Sequence, residues 1–380
     1  MEIKELRNQI DKIDEQLVEL FKQRMGVSAR VTEYKREHNM PVLDATRERE
    51  LLARISTLAG EDMEEYARVL YATILDLSRS YQHKNLCSES VTSREVSAAL
   101  ENTSKLFPTK ALVACQGVEG AYSQIAAEKL FRAANIVYFN NFEGVFSAIE
   151  KGMCKYGVLP LENSTAGSVN NIYDLMIGHN FKIVRSVRLK IDHNLLAKRG
   201  TSLSDIKEIF SHEQAIHQSE KFLKTLPGVK VTVCANTAMA AKMVSESDRT
   251  DVAALSSRYC AEQYGLDIIE SAVQDNANNY TRFICISKDT EIYPGADRTS
   301  VMMVISHKPG SLYRVLSRFF AIGVNLTKLE SRPIPNRDFE FMFYFDIDAS
   351  VYSPQLPMLF AELETSCEEF RYLGTYSEII

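Results

Sequence analysis

Apolar residues at three- and four-residue steps open the chain: Leu6, Ile10, Ile13, Leu17, Leu20, Phe21, Val27, Val31 and Tyr34. That period lays them along one stripe of a single amphipathic helix over residues 3–38. At 1.5 Å per residue it would run ~54 Å, too long for a small domain to cover alone. Pro41 ends it. Further helices are expected near 46–58 and 62–82. Three helices with one this long predict a dimer, in which long helices from two chains bury each other's stripe.

The pattern then changes twice. Residues 85–106 are polar and rich in Ser, Thr and Glu, and read as a linker after a helical domain over 1–84. From Pro108 short apolar runs alternate with helical segments: ALVAC, AYSQIAAEKLF, NIVYF, FEGVFSAIEKG, YGVLPL. Such alternation predicts an α/β domain with a largely parallel sheet over 107–286. EIYPGADR breaks the pattern again. The last segment, 299–380, reads strand, helix, strand, strand, helix, strand, a ferredoxin-like βαββαβ order.

Composition narrows the function. A net charge of −6 and a pI near 5.8 lack the basic footprint of a nucleic-acid binder. The charged start MEIKELRNQIDK is no signal peptide, and no apolar run is long enough to span a bilayer, so a cytoplasmic location is expected. Seven cysteines are scattered without CxxC spacing, which fits a reducing compartment. His212-Glu213 and His217 approach a zinc HExxH motif, but a spacing of five turns the imidazoles about 140° apart on a helix. No metal is expected. Gly117-Val118-Glu119-Gly120 lacks GxGxxG spacing, so no dinucleotide cofactor is expected either.

Two polar constellations remain. On the first helix Arg24 and Lys35 are eleven residues apart, within ~20° on one face and ~16 Å along the axis, so they could converge on a small dianion. Arg7 lies ~25 Å from Arg24 and could join only from a partner chain. Asp44, Arg47 and Glu48 open the second helix, while Ser78 and Gln82 share a face of the third. Singly, each has a bland explanation: Asp44 as a helix cap, the others as solvated charge. Together, LRNQIDKIDEQLVELFKQR, EYKRE, PVLDATRERELL and SRSYQ resemble the helical chorismate mutases. The resemblance implies an intertwined homodimer that rearranges chorismate to prephenate. Arg7 of the other chain, Arg24 and Arg47 would hold the carboxylates, Lys35 and Gln82 the ether oxygen, and Asp44, Glu48 and Ser78 the hydroxyl and ring. The chemistry suits such a set, because a Claisen rearrangement needs a compact conformer and donors where charge grows on the ether.

The second constellation gathers where strands end and helices begin. Glu162-Asn163-Ser164-Thr165 follows YGVLPL, Ser211 and Gln214 have capping-box spacing, Thr237 opens AMAAKMVSE, and DNANNYTRF precedes a strand. Helix starts are ready anion sites. ACQGVEGAYSQIAAEKLF, YGVLPLENSTAGSV, SHEQAIHQSEKFL and DNANNYTRFICIS resemble the motifs of prephenate dehydratases. This likeness implies two lobes like those of periplasmic binding proteins, with prephenate between them losing carbon dioxide and hydroxide to give phenylpyruvate. Thr281 would be the hydrogen-bond donor tied to activity. Arg282 would balance carboxylate charge or brace the loop; Asn163, Ser164, Ser211 and Gln214 would line the cleft; Glu162 stays open as a general acid.

The C-terminal βαββαβ unit resembles an ACT domain. Pro309-Gly310-Ser311-Leu312-Tyr313 and Glu330-Ser331-Arg332-Pro333 match the stretches that bind phenylalanine in that family, with Ser311 where alanine is more usual. The expected whole is a cytoplasmic, homo-oligomeric enzyme of phenylalanine biosynthesis that needs no cofactor and is inhibited by phenylalanine. Its rivals are an arogenate dehydratase and a non-catalytic amino-acid sensor.

Overall fold

The computed structural model describes residues 3–38, 40, 44–86, 90–335, 337 and 340–380. Pro41, expected to end the first helix, lies outside them. Helix α1 spans Ile3–Glu37, α2 Ala45–Ala59 and α3 Glu64–Leu86. Asp44 caps α2, its Oδ1 accepting from the Arg47 N–H at 2.9 Å. The burial of α1 runs opposite to its apolar stripe. Its buried residues are Ser28 and Thr32, while Ile10, Ile13, Leu17 and Leu20 are more than half exposed. Within one chain, then, the polar face of α1 packs inward and the stripe is left open.

The stretch expected to be a linker holds a helix, α4 (Val91–Asn102), which its polar composition concealed. The α/β region follows with β1 (Lys110–Gln116), α5 (Tyr122–Leu130), β2 (Ala133–Phe139), α6 (Phe142–Glu150), β3 (Tyr156–Asn163), β4 (Gly167–Ser168), α7 (Asn170–Gly178) and β5 (Lys182–Lys190). Next come β6 (Asn194–Ala197), β7 (Glu208–Ser211), α8 (Glu213–His217), α9 (Glu220–Lys224), β8 (Lys230–Val233), α10 (Thr237–Glu246), β9 (Val252–Ser256), α11 (Arg258–Tyr264), β10 (Asp267–Glu270) and β11 (Tyr280–Ser287). The C-terminal run is β12 (Arg298–Val304), α12 (Ser311–Ala321), β13 (Asn325–Pro333), β14 (Phe341–Asp348), α13 (Leu356–Ser366), β15 (Glu369–Tyr376) and β16 (Glu378–Ile379), in the βαββαβ order read from sequence until β16.

The α/β region forms two lobes, each with its own sheet. Lobe 1 has strand order β16-β5-β11-β3-β1-β2 with β4 beside β3; lobe 2 has β10-β6-β9-β7-β8. The chain crosses between them twice, from β5 to β6 and from β10 back to β11. Neither sheet is purely parallel: β11 runs antiparallel to both β3 and β5, and β6 antiparallel to β9. The return crossing brings β11 in from the opposite end. Val158, Leu159 and Leu161 of β3 are fully buried, which is why YGVLPL reads as a near-continuous apolar run.

The C-terminal strands form an antiparallel sheet, β13-β14-β12-β15. Met302, Val304, Met342 and Tyr344 of this sheet share one core with Leu159, Ile172 and Ile284 of lobe 1. Gly374 permits the closest approach, since a Cβ there would stand 2.2 Å from the Ile183 carbonyl oxygen. The chain then ends by adding β16 to the lobe 1 sheet, parallel to β5. By compactness, residues 1–94, 308–323 and 354–368 form one unit and the remainder a second.

Candidate active sites

The helical unit contains a cavity of about 540 Å³ lined by Arg24, Lys35, Asp44, Arg47, Glu48, Ser78 and Gln82, together with Ser28, Arg54 and Arg79. Seven of the eight residues that the mutase resemblance points to are thus brought together. Arg7 is not, as its distance along α1 requires. Two of the polar groups are poised for a ligand. Arg24 Nη1 and Gln82 Oε1 are buried with no hydrogen-bond partner among the described residues. Gln82 Nε2 donates to Ser28 Oγ at 2.8 Å, and Ser28 Oγ lies 2.6 Å from Ser78 Oγ. Sequence reasoning missed Ser28 and Arg79. Ser28 sits four residues from Arg24 on the same face, a spacing that could have found it; Arg79, bonded to Glu48 and Asp76, looks like surface charge in sequence.

The second cavity, about 510 Å³, lies between the two lobes. Lobe 1 contributes Asn163 from the end of β3 and Thr281 from the start of β11, which face each other across an antiparallel register. Helices α5, α8 and α10 begin at its wall, with Tyr122, Ser123, His212, Gln214, Asn236 and Thr237 among its lining. No Asp, Glu, Lys or Arg is among the lining residues. Its polarity comes from amides, hydroxyls, peptide N–H groups and two imidazoles, His193 and His212, whose pKa values burial holds below the ordinary range.

The direction of each hydrogen bond around Thr281 can be fixed from the backbone. Asn163 Oδ1 accepts from the N–H groups of Thr165 (3.0 Å) and Ala166 (2.9 Å), and its Nδ2 faces the Tyr280 carbonyl at 3.2 Å. Peptide groups cannot exchange roles, so the amide has one orientation. Asn163 Nδ2 therefore donates to Thr281 Oγ1 at 2.9 Å. A hydroxyl that accepts still has its own hydrogen to give, and Thr281 gives it to no described residue. That hydrogen is available to the cleft.

Several expected residues lie elsewhere. Successive strand residues point to opposite faces, so Arg282 faces away from the cleft that Thr281 lines. It is 4% exposed, with Nη1 3.1 Å from Glu162 and 2.5 Å from Asp346, Nη2 2.6 Å from the Tyr376 hydroxyl, and Nε 3.3 Å from Glu378. Burial opposes its charge, but Tyr376 and Asp346 raise its pKa well above the usual value. Arg282 is a brace to the C-terminal sheet, not a carboxylate clamp in the cleft. Glu162 pairs with Arg282 in register on the same far side. Burial pushes its pKa up, yet Lys328 and Arg282 win and hold it below the carboxylate norm, the direction opposite to that a general acid needs. Ser164 braces the Asn-rich turn, donating to the Asn278 carbonyl at 3.0 Å and accepting from Tyr280 N–H at 2.9 Å. Ser211 is buried and donates to the Leu255 carbonyl at 2.8 Å; His212, not Ser211, caps α8, and Asn236, not Thr237, caps α10.

His193, Gln218, Asn279 and Thr165 complete the polar network; of these only Thr165 was named in sequence, and without a role. Gln218 sits at the end of SHEQAIHQ and Asn279 inside DNANN, so the motifs enclosed them; nothing in IDHNLL marks His193.

In the C-terminal sheet, Glu330 accepts from Ser168, a cleft residue, at 2.5 Å, and Arg332 grips Asp174 of α7 at 2.7 and 2.8 Å. Ser331 and Pro333 lie on β13; Gly310, left-handed at φ 79°, precedes Ser311 and Leu312 at the start of α12. No cluster of His, Cys, Asp and Glu among the described residues could hold a metal, and no described helix is long and apolar enough to cross a membrane.

Comparison with known proteins finds a family match for each of the two regions that hold a pocket. Residues 6–83 match the chorismate mutase type II family and 113–291 the prephenate dehydratase family. A bifunctional chorismate mutase/prephenate dehydratase of Aquifex aeolicus is 30% identical over 100% of this chain and 99% of its own length. An arogenate dehydratase/prephenate dehydratase of Arabidopsis thaliana is 34% identical over 80% of this chain and 81% of its own. The crystal structure of prephenate dehydratase from Arthrobacter aurescens in complex with L-Phe superposes with a TM-score of 0.64, at 28% identity, over 70% of this chain and 89% of that one.

Proposed function

The chain belongs to the bifunctional chorismate mutase/prephenate dehydratase family, and on that premise we propose how its two pockets divide the work. The enzyme rearranges chorismate to prephenate, then decarboxylates and dehydrates prephenate to phenylpyruvate, on the route to phenylalanine.

In the mutase pocket Arg24 and Arg47 take the substrate carboxylates, with Arg7 supplied by a second chain. Lys35 and Gln82 stabilise the charge that grows on the ether oxygen as its bond breaks. Rotating the Gln82 amide lets Ser28 donate to Oε1 and turns Nε2 toward the cavity. Asp44, Glu48 and Ser78 surround the hydroxyl and ring. The exposed stripe of α1 supports a homodimer, since pairing two such stripes buries surface that one chain leaves in water.

In the cleft, electrons leave the carbon–carboxylate bond, enter the ring and expel the hydroxyl. Thr281 donates its free hydrogen to the departing oxygen; Asn163 orients that hydroxyl, and Gln214 holds the substrate with the helix-start N–H groups. The uncharged lining suits this step. A cation against the departing carboxylate would stabilise the reactant more than a transition state that is losing that charge as carbon dioxide. The Thr281 hydroxyl, oriented by a backbone-anchored amide, is the observation that carries this reading.

The 299–380 segment serves as an ACT-type regulatory domain on which phenylalanine inhibits the dehydratase through Gly310–Leu312 and Glu330–Pro333. The Glu330–Ser168 bond supports that route, because it joins β13 to the cleft lining. A cytoplasmic location belongs to the same reading. Incubating the purified chain with chorismate, with and without phenylalanine, tests the whole. Phenylpyruvate formed and suppressed by phenylalanine is expected; prephenate accumulating without phenylpyruvate would reject the second activity. Because one relative is named for arogenate as well, arogenate belongs beside prephenate in the assay.

A further inference from the structure

The directed network that orients Thr281 can be followed one step past the motifs. Asn163 Nδ2 also donates to Asn279 Oδ1 at 2.8 Å, which fixes the Asn279 amide. Asn279 Nδ2 then donates to Gln218 Oε1 at 3.0 Å. Gln218 Nε2 donates to Thr165 Oγ1 at 2.7 Å, and that hydroxyl donates to Asn163 Oδ1 at 2.7 Å. Every amide is now assigned, and Gln218 Oε1, an oxygen that can only accept, lies 2.9 Å from His193 Nε2. His193 Nε2 must therefore carry the hydrogen.

The other ring nitrogen sharpens the point. His193 is 3% exposed, and its Nδ1 is buried with no hydrogen-bond partner among the described residues. A buried acceptor without a donor is unfavourable, and an apolar side chain would avoid it. What the imidazole supplies instead is the Nε2–H. Burial lowers the pKa of the ring, which keeps the neutral form that leaves Nδ1 bare.

We propose that His193, as the Nε2–H tautomer, is a positioning residue for the dehydratase: its bond to Gln218 locks the amide chain that aims the Thr281 hydroxyl hydrogen into the cleft. The inference rests on the reading of this cleft as the dehydratase site. Without that bond Gln218 is held less firmly and Thr165 and Asn279 lose a fixed partner. Asn163 keeps its peptide contacts, but its side-chain partners no longer hold its Nδ2–H on the Thr281 oxygen, and the Thr281 hydroxyl samples orientations that point away from the leaving group.

The test uses the full chain and compares His193→Leu, His193→Gln, Gln218→Leu and the His193→Leu/Gln218→Leu double variant, with mutase turnover of the same preparations reporting on folding. His193→Leu should lower dehydratase kcat about 10- to 100-fold with KM little changed, as a misplaced group does. His193→Gln, whose amide N–H can reach Gln218 Oε1, should recover most of the loss, and the double variant should be no slower than Gln218→Leu alone. Wild-type kcat in His193→Leu, equal loss in the Gln and Leu variants, or additive losses in the double variant would overturn the proposal. A second readout does not depend on turnover: long-range proton–nitrogen NMR of the histidines should show His193 with its proton on Nε2, and a proton on Nδ1 would overturn the assignment. A wild-type chain that makes no phenylpyruvate would reject the dehydratase reading itself, while the NMR tautomer still decides the His193–Gln218 bond.

Discussion

The two pockets, on the assignment proposed above, would bind similar dianions by opposite means. The mutase pocket is lined by Arg24, Lys35, Arg47, Arg54 and Arg79 against Asp44 and Glu48, all on helices or their caps. The dehydratase cleft has no charged residue in its lining and relies on amides, hydroxyls and helix starts. The difference follows the chemistry. In the rearrangement both carboxylates survive and negative charge gathers on the ether, so cations help throughout. In the dehydration one carboxylate leaves as a neutral molecule, and a cation bound to it would oppose the step. Rigidity differs likewise. Asn163 is pinned by peptide groups on both sides, whereas Gln82 rests on Ser28, whose hydroxyl can donate or accept.

Arg282 offers the largest test of that contrast, because its position decides whether the cleft is uncharged. Asp346 is fully buried, and Arg282 is its only ion-pair partner among the described residues, so removing Arg282 strands that carboxylate, whereas Glu378 keeps Arg188 and Arg298. Arg282→Met should cost about 3–5 kcal/mol of stability, read as a large drop in the thermal unfolding midpoint. An Arg282→Met/Asp346→Leu pair should recover part of it. Normal stability with a raised KM for prephenate would return Arg282 to the substrate and undo the comparison.

Thr281 comes next. Thr281→Ala should lower dehydratase kcat about 10²- to 10³-fold, the usual cost of one oriented donor, with mutase turnover unchanged. Thr281→Ser keeps the hydroxyl and should retain most of the rate. Equal loss of both activities would assign the effect to folding.

How far the sequence reaches differs between the pockets for the same physical reason. Helical spacing is a ruler, so Arg24 and Lys35, and Ser78 and Gln82, could each be set on one face from their spacing alone, and Arg7 set apart; Asp44, Arg47 and Glu48 came in through the mutase resemblance. The cleft gathers residues from both lobes. Its motifs mark Asn163, Gln214 and Thr281, but which neighbour faces the ligand depends on strand alternation and register. Arg282 and Glu162 fall on the far side of their strands for that reason, and Ser164 and Ser211 spend their hydroxyls on carbonyls. His193 stood outside every motif, since its meaning arises from an amide 25 residues away in sequence. The βαββαβ order was legible, but β16 was not: a two-residue strand with no period joins a sheet laid down long before it.

The mutase site proposed to be shared between chains is a further point of contrast, because the cleft residues named above all come from one chain. Arg7→Ala and Lys35→Ala chains should each be nearly inactive as mutases. Mixed by subunit exchange, half of the dimers pair one of each and hold one intact site, so about a quarter of wild-type mutase activity should return. Their dehydratase rates should not change on mixing. No recovery after confirmed exchange would place Arg7 outside the site.

The smallest effect probes charge that lies in lobe 2 but away from the cleft. Glu208 on β7 accepts from Lys230 at 2.7 Å, Arg249 at 2.6 Å and Thr232 at 2.8 Å, and these bonds pull its pKa from 4.5 to about 2. A carboxyl whose folded pKa lies below its unfolded one adds stability above the unfolded value and loses it as pH falls through the folded one. Glu208→Gln should therefore be slightly less stable than wild type near neutrality, and the gap should close between pH 4.5 and about 2. Denaturation midpoints across that range measure it. A gap that stays constant with pH would mean the carboxylate is not held ionised by these partners. A change in dehydratase kcat at neutral pH would carry more weight, for it would show that charge on the outer edge of lobe 2 reaches a cleft whose chemistry depends on having none.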